Sequence, residues 1–302
     1  MIPSFLNNKL YISLIIFSVF YWCVSCYGQE TDPKKLQFMR TNPRLNSVTP
    51  VPREELLEEL QSFTHFEENI RRGFQGYELF REAGYNPRDI IIQPVSYSLD
   101  PNIIVTKKGQ LDDTVIIGAH YDVAGKGSQG IVDNATGIVE VTNLAEVFRE
   151  VETRFTYQFV LFGDEEIGLF GSEEFMHRLS PEQRKKIRFM INIDSIGGNK
   201  TGYCGSVSDD RLKQILINEA KTLGISLGPC SLFPECNSDH NNFKKFGIPV
   251  IFISSVKLDR IHTYYDNFSH VQINEIEKVH RLLIEFLKSL DSSLIPTNTE
   301  SE

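Results

Sequence analysis

The chain has 302 residues, of which 41% are apolar and 24% are charged, so it can bury the core of one large domain or two modest ones. It carries 40 acidic and 31 basic residues, which gives a formal charge of −9. This balance argues against nucleic acid as a partner, because binding to phosphates needs a basic face.

The first 28 residues have the pattern of an export signal. Lys9 precedes an apolar run at 10–24, and small residues close the segment at Gly28. The run is shorter than the roughly 20 residues that a membrane span needs, and the whole pattern is typical of a secretory signal. We expect cleavage after Gly28, with lipidation of Cys26 in a loose lipobox as the second alternative and an uncleaved anchor as the third. The protein would then be exported: secreted, periplasmic or anchored by its lipid.

Helical and strand patterns alternate along the rest of the chain. Residues 29–50 are polar and predict a linker, residues 51–295 predict a single domain, and residues 296–302 predict a frayed tail. The predicted helices cover residues 54–83, 135–150, 209–223 and 273–290. The predicted strands cover residues 90–92, 102–105, 114–119, 159–162, 189–193 and 249–253. This alternation predicts a three-layer α/β/α sandwich with a mixed, largely parallel central sheet.

Three consecutive carboxylates follow the most apolar predicted strand: Asp164, Glu165 and Glu166. Buried charges must be paired, hydrogen-bonded or bound to metal. Successive side chains at a strand end point in different directions, so one glutamate can hold a metal while its neighbour handles a proton. Ligands of α/β sheets bind at the carboxyl ends of the strands, and this run lies at such an end.

Further candidate ligands follow predicted strands or lie in loops, namely His120, Asp122, Asp133, Asp194 and His262. Each has an ordinary alternative when taken alone: Asp133 could cap a helix, and Asp194 could be a turn residue. Together, imidazole and carboxylate ligands without a thiolate suit catalytic zinc better than a closed structural site. The set therefore predicts metal-assisted hydrolysis.

At these motifs the chain resembles the zinc-dependent aminopeptidases of peptidase family M28, which include the secreted bacterial leucyl aminopeptidases and are related to glutamate carboxypeptidase II and glutaminyl cyclase. The part before about residue 100 matches weakly. The matching motifs occur in the family's order, namely Gly118-Ala119-His120-Tyr121-Asp122, Asp133-Asn134-Ala135-Thr136-Gly137, residues 162–172, residues 192–197, Ser238-Asp239-His240, Gly247-Ile248-Pro249 and His262-Thr263-(x2)-Asp266. The resemblance implies the phosphorylase/hydrolase-like fold of the zinc exopeptidases.

The resemblance also implies an aminopeptidase with two zinc ions that acts on peptides with a free N-terminus, and the N-terminal signal pattern makes it an exported one. Glu165 would be the general base and then the general acid, and Asp122 would orient a histidine ligand. A membrane would be met only through an N-terminal lipid or an uncleaved signal anchor. The ligands would be His120 and Asp194 on one ion, Glu166 and His262 on the other, and Asp133 between the two.

Two alternatives remain open. A glutaminyl cyclase would need one zinc, held by Asp133, Glu166 and His262, and Asp266-Asn267 loosely matches its pattern. A catalytically silent binding module of the same fold is the alternative of another class, against which the complete ligand set stands.

One departure from the family concerns the residue before the last histidine. The aminopeptidases often carry a tyrosine there, whereas this chain has Ile261. A second zinc, Tyr264 or Tyr265 could stabilise the oxyanion instead.

The remaining cysteines, histidines and acids predict less. Cys230 and Cys236 are close in sequence and flank a proline, so we expect a disulfide between them and a free Cys204; three unpaired cysteines are the alternative. Asp239 and His240 are expected to be structural features near the site. No role is assigned to Asp164 or to three histidines expected to lack partners, namely His177, His270 and His280.

Overall fold

The computed structural model describes residues 48–292 except Glu67, Lys126 and residues 231–235. The predicted export segment, nearly all of the predicted linker and the predicted tail lie outside the described residues. Within the described part, no helix combines the length and apolar character that crossing a membrane requires.

One mixed sheet contains the described strands, in the spatial order β1-β2-β4-β3-β5-β8-β6-β7. The four central strands β4, β3, β5 and β8 are parallel. Antiparallel pairs flank them, because β2 pairs with β1 and β4, and β6 pairs with β8. The predicted mixed, largely parallel sheet is confirmed. Its strands are β1 (Ile91–Gln93), β2 (Asn102–Lys107), β3 (Thr114–His120), β4 (Thr156–Phe162), β5 (Ile187–Ile193), β6 (Thr201–Tyr203), β7 (Gly228–Pro229) and β8 (Val250–Ser255).

The helices cover both faces of this sheet. The helical pattern at 54–83 forms two helices, because a 3₁₀ turn at Phe63–His65 ends the first one. A π-type turn at Ile131–Ala135 leads into the helix that follows β3. The helices are α1 (Arg53–Ser62), α2 (Asn69–Glu82), α3 (Thr136–Phe148), α4 (Phe170–Arg178), α5 (Pro181–Lys186), α6 (Asp210–Thr222), α7 (His240–Lys244) and α8 (Ile273–Ser292).

Alternate residues of the central strands supply two separate cores. Val115 and Ile117 of β3 belong to a large cluster with residues of α1, α2, α3, α6 and α8. Ile116, between them, belongs to a second cluster with Phe175 of α4 and Phe243 of α7. Because strand side chains alternate between the two faces, a sheet buried on both sides reads as a continuous apolar run. The three-layer α/β/α sandwich is therefore confirmed.

The predicted disulfide between Cys230 and Cys236 is wrong. Cys204 and Cys236 form the disulfide, with their Cα atoms 6.6 Å apart, and Cys230 is a free thiol. Cys204 directly follows β6, whose pairing with β8 carries it to Phe252, where Cys236 also packs. Burial raises the pKa of the Cys230 thiol to about 12. The prediction was wrong because it relied on closeness in sequence and did not include β6, the strand that carries Cys204 to Cys236.

His280 has a partner, contrary to expectation. Its Nδ1 atom lies 3.1 Å from Oε1 of Glu140, and both side chains are fully buried. The Nε2 atom of His280 accepts a hydrogen bond of 3.1 Å from the backbone N–H of Val51. This pair joins α8 to α3 inside the larger core. His270 also has a partner, because its ring contacts the side chain of Asn267 at 3.0 Å.

Candidate metal centre

His120 is the last residue of β3, and its buried ring has a different environment at each nitrogen. Nδ1 lies 3.2 Å from the carbonyl oxygen of Asp122 and 3.4 Å from its carboxylate. Nε2 lies 3.1 Å from Asp133 and 3.6 Å from Asp194. A proton on Nδ1, donated to Asp122, leaves Nε2 as the lone-pair atom, which is the usual arrangement of a metal-binding histidine.

Asp122 connects the ends of two neighbouring strands. Its Oδ1 accepts a hydrogen bond of 3.0 Å from the backbone N–H of Glu165, and its Oδ2 accepts one of 3.0 Å from that of Glu166. Both glutamates follow β4, which pairs with β3 in parallel. One buried carboxylate therefore faces His120 and fixes the backbone of the glutamate pair.

Asp133 lies between two histidines. Its Oδ1 is 3.1 Å from Nε2 of His120, and its Oδ2 is 2.9 Å from Nε2 of His262. The residue is buried in the turn before α3, where its backbone leaves the helical region at φ −118° and ψ 84°. This irregular backbone sends the carboxylate toward the sheet edge instead of letting it cap the helix.

Glu166 and His262 complete one side of the centre. Oε2 of Glu166 lies 3.1 Å from Nε2 of His262, while Oε1 accepts a hydrogen bond from the backbone N–H of Ala124. The His262 side chain is 50% exposed, unlike His120, so this side of the centre faces solvent. Ligand atoms of His120, Asp133 and Glu166 all lie within 4.8 Å of one another.

Asp194 and Glu165 lie on the other side of the centre. Asp194 follows β5 and accepts a hydrogen bond of 2.9 Å from the hydroxyl of Ser195. Burial raises the pKa of Glu165 well above its usual value, and the nearby Asp194 carboxylate adds to the effect against the opposing influence of His120. Desolvation has this effect because it disfavours the charged form of a buried carboxyl group.

The pKa shifts of the other groups follow from the crowding of carboxylates. Hydrogen bonds to Asp133 and Glu166 raise the pKa of His262 to about 10. Burial pushes the pKa of His120 down, but the carboxylates around it outweigh burial and raise it. Imidazole and carboxylate groups without a thiolate form a donor set that fits catalytic zinc. Metal binding to the histidines would depend on pH, because a histidine ligand must be deprotonated.

Left-handed backbone marks the same edge of the sheet. Asp164, Ser195 and His262, none of them glycine, have φ values of 55°, 60° and 57°. Asp164 precedes the proposed base Glu165, Ser195 follows the candidate ligand Asp194, and His262 is itself a candidate ligand. Such conformations cost about 1–3 kcal/mol each and persist only where the surroundings impose them.

The acids without an assigned role also lie near this edge. Burial raises the pKa of Asp164, and burial together with the Asp164 carboxylate raises that of Asp100 to about 7. Asp239 and His240 are fully buried at the start of α7, where His240 stacks on Phe252 at 4.8 Å. Burial raises the pKa of Asp239 to about 7 and lowers that of His240 to about 4. The charge of His120 opposes the rise in the pKa of Asp239, and the charge of Asp194 opposes the fall in that of His240.

The fold and this histidine–carboxylate centre define an α/β/α protein of the metallopeptidase type. Residues 102–287, more than half of the chain, match the sequence model of peptidase family M28. The chain therefore belongs to peptidase family M28.

Individual relatives match shorter stretches. An aminopeptidase of Pseudomonas aeruginosa is 35% identical over 107 residues, which cover 34% of this chain and 20% of that protein. Aminopeptidase YwaD of Bacillus subtilis is 30% identical over 154 residues, covering 49% of this chain and 34% of that protein. The matches thus span about a fifth to a third of these curated relatives.

Solved structures support the fold. The LapA aminopeptidase of Legionella pneumophila superposes with a TM-score of 0.72 at 16% identity, covering 89% of this chain and 79% of its own. A glutaminyl cyclase from an Acidobacteriales bacterium superposes with a TM-score of 0.66 at 15% identity, covering 83% of this chain and 99% of its own. The two activities share this fold, so the choice between them depends on the site.

Proposed function

We propose that this protein is a zinc aminopeptidase that uses two zinc ions to remove the N-terminal residue of peptides. The position of Asp133 carries the proposal. Its two carboxylate oxygens face Nε2 atoms of two different histidines, at 3.1 Å and 2.9 Å. A carboxylate placed in this way can serve two ions at once. Asp194 would join His120 as a ligand of one ion, and Glu166 would join His262 as a ligand of the other.

The chain's own residues would handle the proton. Bound zinc ions would polarise the scissile carbonyl and lower the pKa of a water. Glu165 would accept the proton of the attacking water and pass it to the leaving amine. Burial raises the pKa of Glu165, and a raised pKa makes its carboxylate a better acceptor for the proton of the water. Asp122 would hold Glu165 in place through its backbone N–H.

The substrate would be a peptide with a free N-terminus. A carboxylate-rich edge attracts the α-ammonium group of a chain end and offers nothing similar to an internal bond. Both relatives described above are named as aminopeptidases. Tyr264 and Tyr265 lie exposed in the His262 loop and remain candidates for stabilising the oxyanion.

A single-zinc glutaminyl cyclase is the second candidate, favoured by the structural likeness to a cyclase. That reaction would need only Asp133, Glu166 and His262. In that case His120 and Asp194 would not be metal ligands, although His120 contacts both Asp133 and Asp194. These contacts favour the aminopeptidase.

The proposal includes export. The apolar segment at 10–24 supports it, as does the Cys204–Cys236 disulfide, since disulfides persist in oxidising compartments. A relative from Mycobacterium tuberculosis is named a probable lipoprotein aminopeptidase.

Incubation of the purified protein with matched peptides tests the proposal. We expect release of the first residue from an unblocked peptide, no release from its N-acetylated form, loss of activity with a chelator and recovery with zinc. A peptide beginning with glutamine separates the two candidates. Release of glutamine would support the aminopeptidase, whereas loss of ammonia without loss of a residue would establish the cyclase.

A further inference from the structure

A buried arginine lies beside the metal centre but outside the segment that matches the family model. Arg72 of α2 is fully buried, and the family match begins at residue 102. Its Nε donates to the carbonyl oxygen of Tyr121 at 2.6 Å, Nη1 to that of Gln129 at 3.0 Å, and Nη2 to that of Gly130 at 2.9 Å. One guanidinium therefore joins the end of β3 to the segment that precedes Asp133.

Asp266 holds the same segment from the opposite direction. Its Oδ1 accepts a hydrogen bond of 2.7 Å from the backbone N–H of Val132. Its Oδ2 accepts one of 3.2 Å from the backbone N–H of Asp133 and one of 3.3 Å from the hydroxyl of Ser128. Asp266 is 1% exposed and lies four residues after His262. It therefore connects the loop of one candidate ligand to the backbone of another.

Residues 127–133, which we name the ligand loop, need such support. The loop is not held by a strand ladder, and Gly130 within it has a left-handed φ of 59°. Arg72 fixes carbonyl groups in the middle of the loop, and Asp266 fixes N–H groups at its end. Between them they determine where the Asp133 backbone lies and so where its carboxylate can point.

We propose that Arg72 and Asp266 are positioning residues that jointly place the Asp133 carboxylate between His120 and His262. The proposal rests on the zinc site proposed above. It assigns part of the metal-site support to α2, a helix that precedes the family match. Neither residue has to touch an ion or the substrate, and both act through the backbone of the ligand loop.

The charge of Arg72 provides a competing explanation. Its pKa is lowered to about 10 by burial, against the opposing effect of Asp266, Asp122, Asp133 and Glu166. In this competing explanation, the positive charge of Arg72 offsets the repulsion among these carboxylates, and its hydrogen bonds do not position Asp133. Arg72→Lys separates the two explanations, because lysine keeps the charge but cannot reach three carbonyl groups with a planar fork.

Zinc affinity, measured by competition with a chelator on folded protein, tests the proposal without using a substrate. In Asp266→Asn an amide N–H₂ replaces one oxygen and faces a backbone N–H or a hydroxyl donor. We expect zinc affinity to fall about 10- to 100-fold, as is typical when partners of metal ligands are lost. Asp259→Asn, an exposed change in the same loop, should stay within about twofold.

Arg72→Lys should lower zinc affinity by a similar factor, whereas Arg71→Lys, at the adjacent exposed position, should not. A purely structural role would lower the melting temperatures of the zinc-free and zinc-loaded forms equally and leave zinc affinity unchanged. For each residue, an unfolded variant or a folded variant with wild-type zinc affinity would overturn the assignment.

Amino-acid release tests the aminopeptidase, and zinc affinity tests the positioning roles. Failure of the wild-type protein to release amino acids would refute the aminopeptidase but not the positioning roles. An active wild-type enzyme whose Asp266→Asn variant binds zinc normally would refute the positioning role of Asp266 alone.

Discussion

The two ends of the parallel strands differ in charge. At the carboxyl ends of β3, β4 and β5 lie buried or half-buried carboxylates and two histidines. At the amino ends of β5 and β8 lies a surface groove with an apolar floor and a basic rim of Arg184, Lys185, Arg188 and Arg211. Both ends belong to the same sheet, so the fold by itself does not require buried acids. The acids cluster only at the carboxyl ends, where they form the candidate site and can attract cations.

The backbone differs between the two ends in the same way. The central strands pair in parallel up to His120 and Ile193, with one register shift between Thr114 and Val115 where β3 pairs with β5. Immediately beyond them, Asp164 and Ser195 adopt left-handed conformations. The paired strands contribute to stability, whereas the irregular backbone beyond them sets the directions of the site's side chains. Changes at the two ends should therefore have different consequences.

The largest expected effect follows from Glu165→Gln at the carboxyl end. Glutamine keeps the shape but cannot accept the proton, so we expect turnover to fall by about 10³-fold, within the range for general bases. Zinc content should stay near the wild-type value, since Glu165 is not a proposed ligand. Steady-state kinetics and metal analysis measure both quantities.

The matched control for this change lies at the other end of the strands. Arg211→Gln in the basic groove should leave turnover within about twofold. Wild-type turnover in Glu165→Gln would show that another group moves the proton.

A smaller effect is expected from Asp122→Asn. The amide cannot accept hydrogen bonds from both Glu165 and Glu166 and also face His120 with an oxygen. We expect zinc affinity and kcat/KM each to fall about 10- to 100-fold. Chelator competition and kinetics provide the two values. Unchanged zinc affinity would mean that Asp122 fixes only the glutamate backbone and does not orient His120.

The smallest effect concerns stability and should depend on pH. Burial and the Asp164 carboxylate raise the pKa of Asp100 to about 7. The folded state thus binds this proton more tightly than the unfolded state, so its stabilising effect is complete below about pH 4 and is lost as the pH rises through about 7. Asp100→Asn removes this loss and should raise the free energy of unfolding of the zinc-free protein at pH 8.

Denaturant unfolding at pH 4 and pH 8 measures this prediction. The two proteins should be nearly equal at pH 4, where the acid of the wild type is neutral. An equal gain at both pH values would assign the effect to packing, and a loss at pH 8 would contradict the raised pKa.

The strands of the centre could be predicted from sequence because they are apolar runs followed by polar residues. The predicted strand at 114–119 is observed at Thr114–His120, and the predicted helix at 209–223 is observed at Asp210–Thr222. The short elements β6, β7 and α7 were not predicted, since two to five residues carry no measurable period. The wrong disulfide followed from that omission.

The candidate ligands could be predicted for a related reason. Histidines and carboxylates that follow parallel strands meet at one edge, and the structure brings together His120, Asp133, Glu166, Asp194 and His262. Their roles as ligands stay predictions. The contacts of Arg72 could not be predicted, because hydrogen bonds to carbonyl groups 49 and 58 residues away leave no spacing pattern.

Anomalous diffraction at the zinc edge from crystals of the zinc-loaded protein tests the central claim most directly. We expect two peaks, one on each side of the Asp133 carboxylate, with His120 and Asp194 at the first and Glu166 and His262 at the second. A single peak at Asp133, Glu166 and His262 would contradict the two-ion centre and favour the cyclase. A peak away from these residues would contradict the site itself.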